Sequence, residues 1–257
     1  MNFGICVLVF EFWKTKQYAN KINDVITTEV CMSSMLKKCS TFFLMLFIAS
    51  CAGTKLIQPE SQKDASYQQA QLTNTRLAIV MLDSLQITYD RDISDFPVQR
   101  YRYYLKRQFP VAIRENTVFK DAALVYSIDN AADIQWNSES LPQVEATVTI
   151  PVPALSTRFD LPGGDYPFVL ILSRLDIQHT GKNIKDRLTD VFDVSATGLT
   201  QHCLRYVLWD NRDGKAVQKG VTAAETIELE KYIGTQRWEQ LMTDLAAQIF
   251  NDPIYQK

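Results

Sequence analysis

The chain of 257 residues is poor in the side chains from which most catalytic and metal sites are built. It has two histidines, His179 and His202, and five cysteines. Four of the cysteines lie within the first 51 residues, which leaves Cys203 as the single cysteine further along. A structural zinc site needs about four nitrogen, sulfur or carboxylate ligands. The part beyond Cys51 therefore offers too few histidines and cysteines for such a site, and we predict neither a metal nor a cofactor.

Clustered positive charge and long apolar runs are also missing. Beyond Cys51 there are 22 Lys and Arg against 26 Asp and Glu, a net charge of −4. Nucleic-acid binding needs a clustered basic surface, so we predict no nucleic-acid partner. The amino-terminal run Ile5 to Phe12 could be taken as a membrane segment, but Glu11 interrupts it. It is far below the roughly 20 apolar residues that a spanning helix requires.

One short apolar run has the features of an export signal. Lys37 and Lys38 precede the run 42–47, which leads into Ile48, Ala49, Ser50 and Cys51. Positive charge orients such a segment with its amino terminus in the cytoplasm, and the run is too short to remain as an anchor. The pattern resembles the signal peptide of bacterial lipoproteins. That resemblance implies recognition of Ile48, Ala49 and Ser50 by a signal peptidase, cleavage before Cys51, and lipid attached to Cys51. The alternative is an ordinary signal peptide with a chance cysteine.

Signal peptides begin with their charged segment, so residues 1–31 fit this interpretation poorly. We expect translation to start at Met32 or Met35, with 1–31 an extension that has no fold and 32–50 the signal peptide. Lipoprotein acylation brings at least two chains, which is what stable anchoring needs. In enterobacteria an aspartate after the cysteine favours the inner membrane, and Ala52 stands there. The resemblance therefore implies the periplasmic face of the outer membrane, with the inner membrane as the alternative.

The mature chain divides into a polar beginning and an apolar remainder. Residues 51–75 carry five glutamines and show no apolar periodicity, which predicts the lipidated cysteine followed by a flexible tether. Residues 76–257 are rich in apolar and aromatic side chains, and this length suits one domain with a substantial core. We predict a single periplasmic domain over 76–257.

Hydrophobic patterning predicts alternating strands and helices. The apolar run 77–82 predicts a strand buried on both faces. Pro97 can begin a helix with Val98, Tyr101, Leu105 and Phe109 on one face, which Pro110 would end. Further strands are predicted at 122–128, 146–152, 166–180, 191–210 and 216–229.

Two signals near the carboxyl terminus are stronger. Asn211 to Gly214 predicts a hairpin turn, because an Asp-Gly pair readily adopts positive φ. Thr235 begins a pattern with five apolar residues on one helical stripe: Trp238, Leu241, Met242, Leu245 and Ile249. The fold class is therefore α/β (α+β): a single mixed or antiparallel sheet packed by two main helices, one after the first strand and one at the carboxyl terminus.

This order of elements resembles small periplasmic α/β lipoproteins. The residues concerned are 76–83, Tyr206 to Asp210, Asp213 to Lys215, Gly220 and Trp238 to Ile249. Similar proteins are the peptidoglycan-synthase-activating lipoproteins, the curli-secretion lipoprotein and the amino-terminal domain of the Tol-Pal system's β-propeller protein. The resemblance covers most of the mature chain as a pattern and implies a fold rather than an activity.

No residue pattern predicts catalysis. Ser195 and His202 could form a nucleophile and base with an aspartate, but no Gly-x-Ser-x-Gly turn surrounds the serine. Asp210, Asn211 and Asp213 lack the spacing and closing glutamate of a calcium loop, so we interpret them as turn residues. Cys203 lies in an apolar stretch and is predicted to be a buried hydrophobic residue.

The function predicted from these observations is that of a non-catalytic accessory lipoprotein. It would be held in the membrane through lipid on Cys51 and bind another envelope protein or copies of itself. Two alternatives remain: an envelope hydrolase acting on peptidoglycan or lipid, and a carrier for an apolar ligand, which would need an open cavity lined by apolar side chains.

Overall fold

A computed structural model describes residues 57–89, 97–142, 147–183, 198–227 and 235–257. The strands in this part are β1 (Glu60–Lys63), β2 (Arg76–Tyr89), β3 (Asp121–Val125), β4 (Trp136–Pro142), β5 (Thr147–Pro153), β6 (Phe168–Asn183), β7 (Gly198–Asp210) and β8 (Lys215–Ile227). The α-helices are α1 (Gln69–Leu72), α2 (Val98–Arg107), α3 (Phe109–Asn116) and α4 (Thr235–Ile249), with 3-10 turns at Ala131–Asp133 and Pro253–Tyr255. Among these helices, none combines the length and apolar character needed to cross a bilayer.

Six strands form one mixed sheet in the order β1-β8-β7-β6-β2-β3. Strand β2 runs parallel to both β3 and β6, and the remaining neighbours are antiparallel. Strands β4 and β5 form a separate antiparallel hairpin. A mixed sheet with a helix after its first long strand and another at the carboxyl terminus confirms the predicted fold class.

The central strand β6 is buried on both faces of the sheet. Phe168, Leu170 and Leu172 belong to the apolar core that includes the buried residues of helices α2, α3 and α4. Val169 and Ile171 belong to a second core, which includes the buried residues of the β4–β5 hairpin. Burying a large apolar side chain stabilises a fold by about 1.5–3 kcal/mol. This burial explains why the sequence there is continuously apolar.

Helix α4 confirms the stripe predicted from its spacing. Trp238, Leu241, Met242, Leu245 and Ile249 are all buried against the sheet core. The Trp238 ring stacks on Tyr104 of α2, with centroids 5.4 Å apart, and meets Tyr101 edge-on at 5.7 Å. These aromatic contacts join the two main helices to each other and to the sheet.

The prediction that Pro110 ends the helix after β2 was wrong. Helix α2 ends at Arg107, and α3 begins two residues later at Phe109, with Pro110 in its first turn. A proline is tolerated there because the first amides of a helix have no acceptor within the helix. Tyr101, Leu105 and Phe109 are buried as the spacing predicts.

The hairpin turn between β7 and β8 is confirmed at the predicted position. The Gly214 N–H donates to the Asp210 carbonyl, 2.9 Å away, and Gly214 has φ of +65°. Positive φ occurs at Gly214 alone in this turn, so Asp213 does not share it as the pattern predicted. A Cβ on Gly214 would also lie 2.5 Å from the Ser156 Cα, so the turn requires glycine for space as well as for conformation.

The tether predicted over residues 51–75 was wrong for its second half. Strand β1 pairs with β8, with Glu60 opposite Val221 and Lys63 opposite Gln218. Further along, Tyr67 and Leu72 are buried in the helix-side core. The polar sequence concealed these elements because β1 is an edge strand with three of its four residues exposed. The folded domain therefore begins well before residue 76.

Other strand boundaries differ from the predictions in similar ways. Strand β4 was missed, because one of its seven residues, Leu141, is fully buried and the rest show no apolar alternation. Strand β3 ends at Val125 rather than residue 128, and β2 continues to Tyr89 rather than ending at residue 82. The first part of the strand predicted from residue 191 lies outside the described residues, and β7 is described from Gly198.

Candidate functional site

Several residues singled out from the sequence lie outside the part that the structure describes. They are the signal-peptidase and lipidation residues Ile48, Ala49, Ser50 and Cys51, together with Ser195. The interpretation of Cys51 therefore rests on the sequence pattern. The histidines, Cys203 and the turn residues can be placed.

His202 is a core residue and not an accessible base. It is 0% exposed, its ring stacks on Tyr101 with centroids 5.6 Å apart, and its Nε2 lies 3.1 Å from Thr200 Oγ1. Burial lowers the pKa of His202 to about 3, because charging the imidazole away from water is costly. A neutral histidine without solvent access cannot take a proton from a substrate in solution. His179 lies on β6, half-buried, opposite Thr200.

Cys203 is the buried small residue that the sequence predicts. Its side chain is fully inside the second core, and burial raises the pKa of the thiol to about 12. The thiolate, which is the reactive form, is therefore absent at physiological pH. The Cys203 Sγ contacts the Gln201 Oε1 at 3.4 Å and the Ile57 carbonyl at 3.8 Å.

Asp210 and Asn211 hold the hairpin turn, as predicted. The Asp210 Oδ1 accepts from the N–H groups of Arg212 at 2.8 Å and Asp213 at 3.2 Å. The Asn211 side chain accepts from the Phe159 N–H at 2.6 Å and donates to the Phe159 carbonyl at 3.0 Å. These groups are used within the fold, which agrees with their interpretation as turn residues. Within the described residues, no three His, Cys, Asp or Glu side chains come together in a metal-binding group.

A buried ion-pair cluster, which the sequence did not reveal, lies on the hairpin side of the sheet. Asp176 of β6 is 6% exposed, and its carboxylate accepts from the Arg174 Nε at 2.8 Å and the Arg205 Nη2 at 2.7 Å. Thr88 of β2 donates to the same carboxylate. Arg205 also donates to the Thr149 carbonyl at 2.9 Å, so the cluster ties β2, β6 and β7 to the hairpin.

The electrostatics of Asp176 follow from these contacts. Burial by itself raises the pKa of this carboxyl group, but the hydrogen bond from Thr88 and the attraction of Arg205 outweigh it. The net effect is a pKa below the ordinary value of aspartate. Asp176 is therefore ionised at neutral pH and paired on two sides. Its contacts are satisfied within the fold, which indicates a stabilising role for the cluster.

An open groove, which we call the Trp136 groove, lies where β2 and β3 meet the start of the hairpin. Its volume is about 300 Å³. It is lined by Val80, Met81, Leu82, Val125, Tyr126, Ser127, Ile128, Ala131, Ile134 and Trp136. Two aromatic side chains at the groove remain accessible: Tyr126 is 78% exposed and Trp136 is 36% exposed. Large aromatic side chains in this setting are typical of binding surfaces.

The first described residue, Ile57, is attached to the same side of the sheet as the ion-pair cluster. Its N–H donates to the Gln178 Oε1 at 3.1 Å, and its carbonyl contacts the Cys203 thiol. The Ile57 side chain packs against the second core. The chain is therefore fixed to the domain only six residues after Cys51.

Comparisons with known proteins give a weak structural likeness. No family model matches the chain, and no curated protein matches it. The match to the structure of a PelC dodecamer from Paraburkholderia phytofirmans spans 78% of this chain and 100% of the PelC chain, with 8% identity and a TM-score of 0.34. The match to a putative neuraminyllactose-binding hemagglutinin homolog from Helicobacter pylori spans 73% of this chain and 85% of the homolog, with 8% identity and a TM-score of 0.31. The match to the hypothetical protein CT253 from Chlamydia trachomatis spans 67% of this chain and 94% of CT253, with 12% identity and a TM-score of 0.32. Likeness at this level carries no conclusion about activity or partners.

Proposed function

We propose that this chain is a lipid-anchored accessory protein of the bacterial envelope. In this proposal it is cut before Cys51, held at the periplasmic face of the outer membrane, and binds another envelope protein through the Trp136 groove. The sequence Ile48-Ala49-Ser50-Cys51 after a short apolar run supports the anchor. The exposed aromatic side chains at the groove support the binding role.

The groove is the observation that carries the binding role. Tyr126 and Trp136 expose apolar ring surface that a partner can remove from water, and aromatic residues dominate the energetics of protein interfaces. The Lys106 ammonium lies 5.4 Å from the Tyr126 ring centroid, within the range of a cation–π contact.

Changing the two aromatic residues to serine tests this role. The double variant Tyr126→Ser, Trp136→Ser should recover the partner from detergent-solubilised envelopes roughly 30-fold less well, which corresponds to about 2 kcal/mol for a central aromatic contact. The matched control is Leu155→Ser, because Leu155 is 81% exposed and does not line the groove. Recovery is measured by affinity capture of the tagged, lipidated chain, with circular dichroism as the check on folding.

Two results would contradict the binding role. One is equal recovery of the partner by the double variant and the control. The other is that the native chain captures no envelope protein. Sedimentation of the purified chain tests a third case, self-association. If the chain forms a dimer or larger assembly and the same double substitution dissociates it, the partner at the groove is a second copy of the chain and not another envelope protein.

The groove also favours a second candidate function, a carrier for an apolar ligand. Nine of its ten lining residues have apolar or aromatic side chains, although much of the surface that they leave accessible is polar. Its volume of about 300 Å³ is at the lower end of the range for small-molecule sites. A carrier should bind an apolar fluorescent probe with saturable affinity, and Trp136→Ser should weaken that binding. Unsaturable or unchanged binding would remove this candidate. The hydrolase alternative receives no comparable support, because His202 is enclosed in the core.

A further inference from the structure

Helix α2 carries positive charge on its accessible side and contains no acidic residue. Its sequence, Val98–Arg107, includes Arg102, Lys106 and Arg107, of which Lys106 and Arg107 are exposed. Within the described residues, none of these three side chains has an ion-pair partner. The mature chain as a whole has the opposite sign, with a net charge of −4. The accessible side of α2 is therefore a local positive region on an acidic protein.

Aromatic rings accompany the two exposed cations. The Arg107 guanidinium lies 5.3 Å from the Tyr103 ring centroid, and the Lys106 ammonium lies 5.4 Å from the Tyr126 ring centroid. Both distances are within the roughly 6 Å of a cation–π contact. Tyr103 is 49% exposed, and Tyr126 lines the Trp136 groove. The contact between Lys106 and Tyr126 therefore joins the positive side of α2 to the groove in one accessible surface.

We infer that the partner proposed for the Trp136 groove binds through an acidic segment of its chain. In this arrangement, carboxylates of the partner lie against Lys106 and Arg107, and a neighbouring apolar side chain enters the groove. The inference rests on the proposed binding role of the groove and adds the chemistry of the partner. Opposite charges in these positions would orient the segment and speed its association.

The other border of the groove fixes where the acidic part of the partner lies. The loop after Tyr126 carries Asp129 and Asp133, and both are exposed. Carboxylates placed over this loop would meet like charge, which is unfavourable. The acidic residues of the segment therefore belong on the α2 side of the groove.

Anionic lipid headgroups carry the same charge as such a segment, but two observations favour a protein. The net charge of −4 opposes the approach of the whole mature chain to an anionic bilayer. A short segment responds mainly to nearby charges, because the Debye length is about 8 Å at physiological ionic strength. The groove also has a volume of about 300 Å³, which a projecting apolar side chain can enter and a layer of headgroups cannot fill.

Selection from a display library of short random peptides tests this inference on the full chain purified in detergent. The test variant is Lys106→Gln, Arg107→Gln, because glutamine keeps a similar helix propensity and removes the charge. The matched control is Arg114→Gln, Lys120→Gln, which removes two exposed positive charges at the other end of β3. Strand β3 separates Lys120 from Tyr126 by roughly 20 Å. Circular dichroism checks that each variant is folded.

The native chain and the control should select peptides enriched in Asp and Glu next to an aromatic residue or leucine. By fluorescence anisotropy, Lys106→Gln, Arg107→Gln should bind the best of these peptides roughly tenfold more weakly at about 0.1 M salt, where the Debye length is about 10 Å. At about 1 M salt, where that length is about 3 Å, the difference should fall below about twofold. The control should stay within about twofold of the native chain at both salt concentrations.

Four outcomes would overturn the inference. Selected peptides that need Tyr126 and Trp136 but are not acidic would leave the groove as a binding site for a partner of other chemistry. Selection of no groove-dependent peptide would exclude a linear segment, and capture from envelopes would then decide the role of the groove separately. Tight binding to vesicles of phosphatidylethanolamine and phosphatidylglycerol that Lys106→Gln, Arg107→Gln abolishes would assign the surface to lipid. A dimer that the same variant dissociates would assign it to a second copy of the chain.

Discussion

Replacing Asp176 with asparagine should lower the free energy of unfolding by about 3–5 kcal/mol, as expected when one partner of a buried ion pair is removed. The reason is that the guanidinium of Arg205 would keep its buried position and lose its counter-charge. The Arg205 Nη2 lies 2.7 Å and its Nε 3.2 Å from the Asp176 carboxylate, and the side chain of Arg205 is 13% exposed. Urea unfolding of the purified chain measures the change.

The effect of Asp176→Asn should depend on pH. Because the pKa of Asp176 is lowered in the folded chain, its carboxylate stabilises the fold at every pH above the ordinary aspartate pKa of about 3.9. That contribution is lost as pH falls through and below this value. The difference between the native chain and the variant should therefore be constant from about pH 5 to 8 and shrink in more acidic solution.

Two further variants control this experiment. Asp129→Asn removes an exposed carboxylate and should change the free energy of unfolding by no more than about 0.5 kcal/mol. Adding Arg205→Met to Asp176→Asn should restore part of the lost stability, because the unpaired charge is then gone. A loss below about 1 kcal/mol for Asp176→Asn, independent of pH, would show that the cluster does not stabilise the fold.

Replacing Cys51 with serine should move the chain from the membrane fraction to the soluble periplasm, with at least a roughly 100-fold loss of membrane-bound protein. Each buried methylene of an acyl chain contributes about 0.8 kcal/mol, and two chains give stable attachment. Serine offers no thiol for acylation. Fractionation of cells followed by immunodetection measures the distribution.

Cys39→Ser is the matched control for Cys51→Ser. Cys39 lies in the proposed signal peptide and should be removed before the chain matures, so its replacement should leave the membrane-bound fraction unchanged. If Cys51→Ser remains in the membrane to the same extent as Cys39→Ser, the attachment does not depend on lipid at residue 51.

The elements that could be predicted from the sequence are those whose pattern of burial or backbone conformation is set by neighbouring residues. Strand β6 is apolar on both faces because a core lies on each side of it, and α4 repeats apolar residues at helical spacing because one face packs on the sheet. The turn at Asn211 to Gly214 depends on local conformation alone. In each case a few residues that are close in sequence determine the structure of the element.

The missed elements depend on residues distant in the sequence. Strands β1 and β4 are largely exposed to solvent, so most of their side chains can be polar. Their sequences therefore lack the alternation of apolar and polar residues that predicts a strand. Two of the three partners of Asp176, Thr88 and Arg205, are 88 and 29 residues away, and the third, Arg174, is two residues away. The Trp136 groove likewise combines residues from two strands, a loop and the hairpin. No local pattern indicates such combinations, and the fold is needed to bring them together.

Mass spectrometry of the amino terminus of the membrane-extracted chain tests the central proposal most directly. The lipid anchor predicts a terminal peptide that begins at Cys51 and carries the mass of a diacylglyceryl group, with or without a third acyl chain on its amino group. A peptide from before Cys51 in the membrane-bound protein, or a Cys51 without lipid, would contradict the proposed anchor.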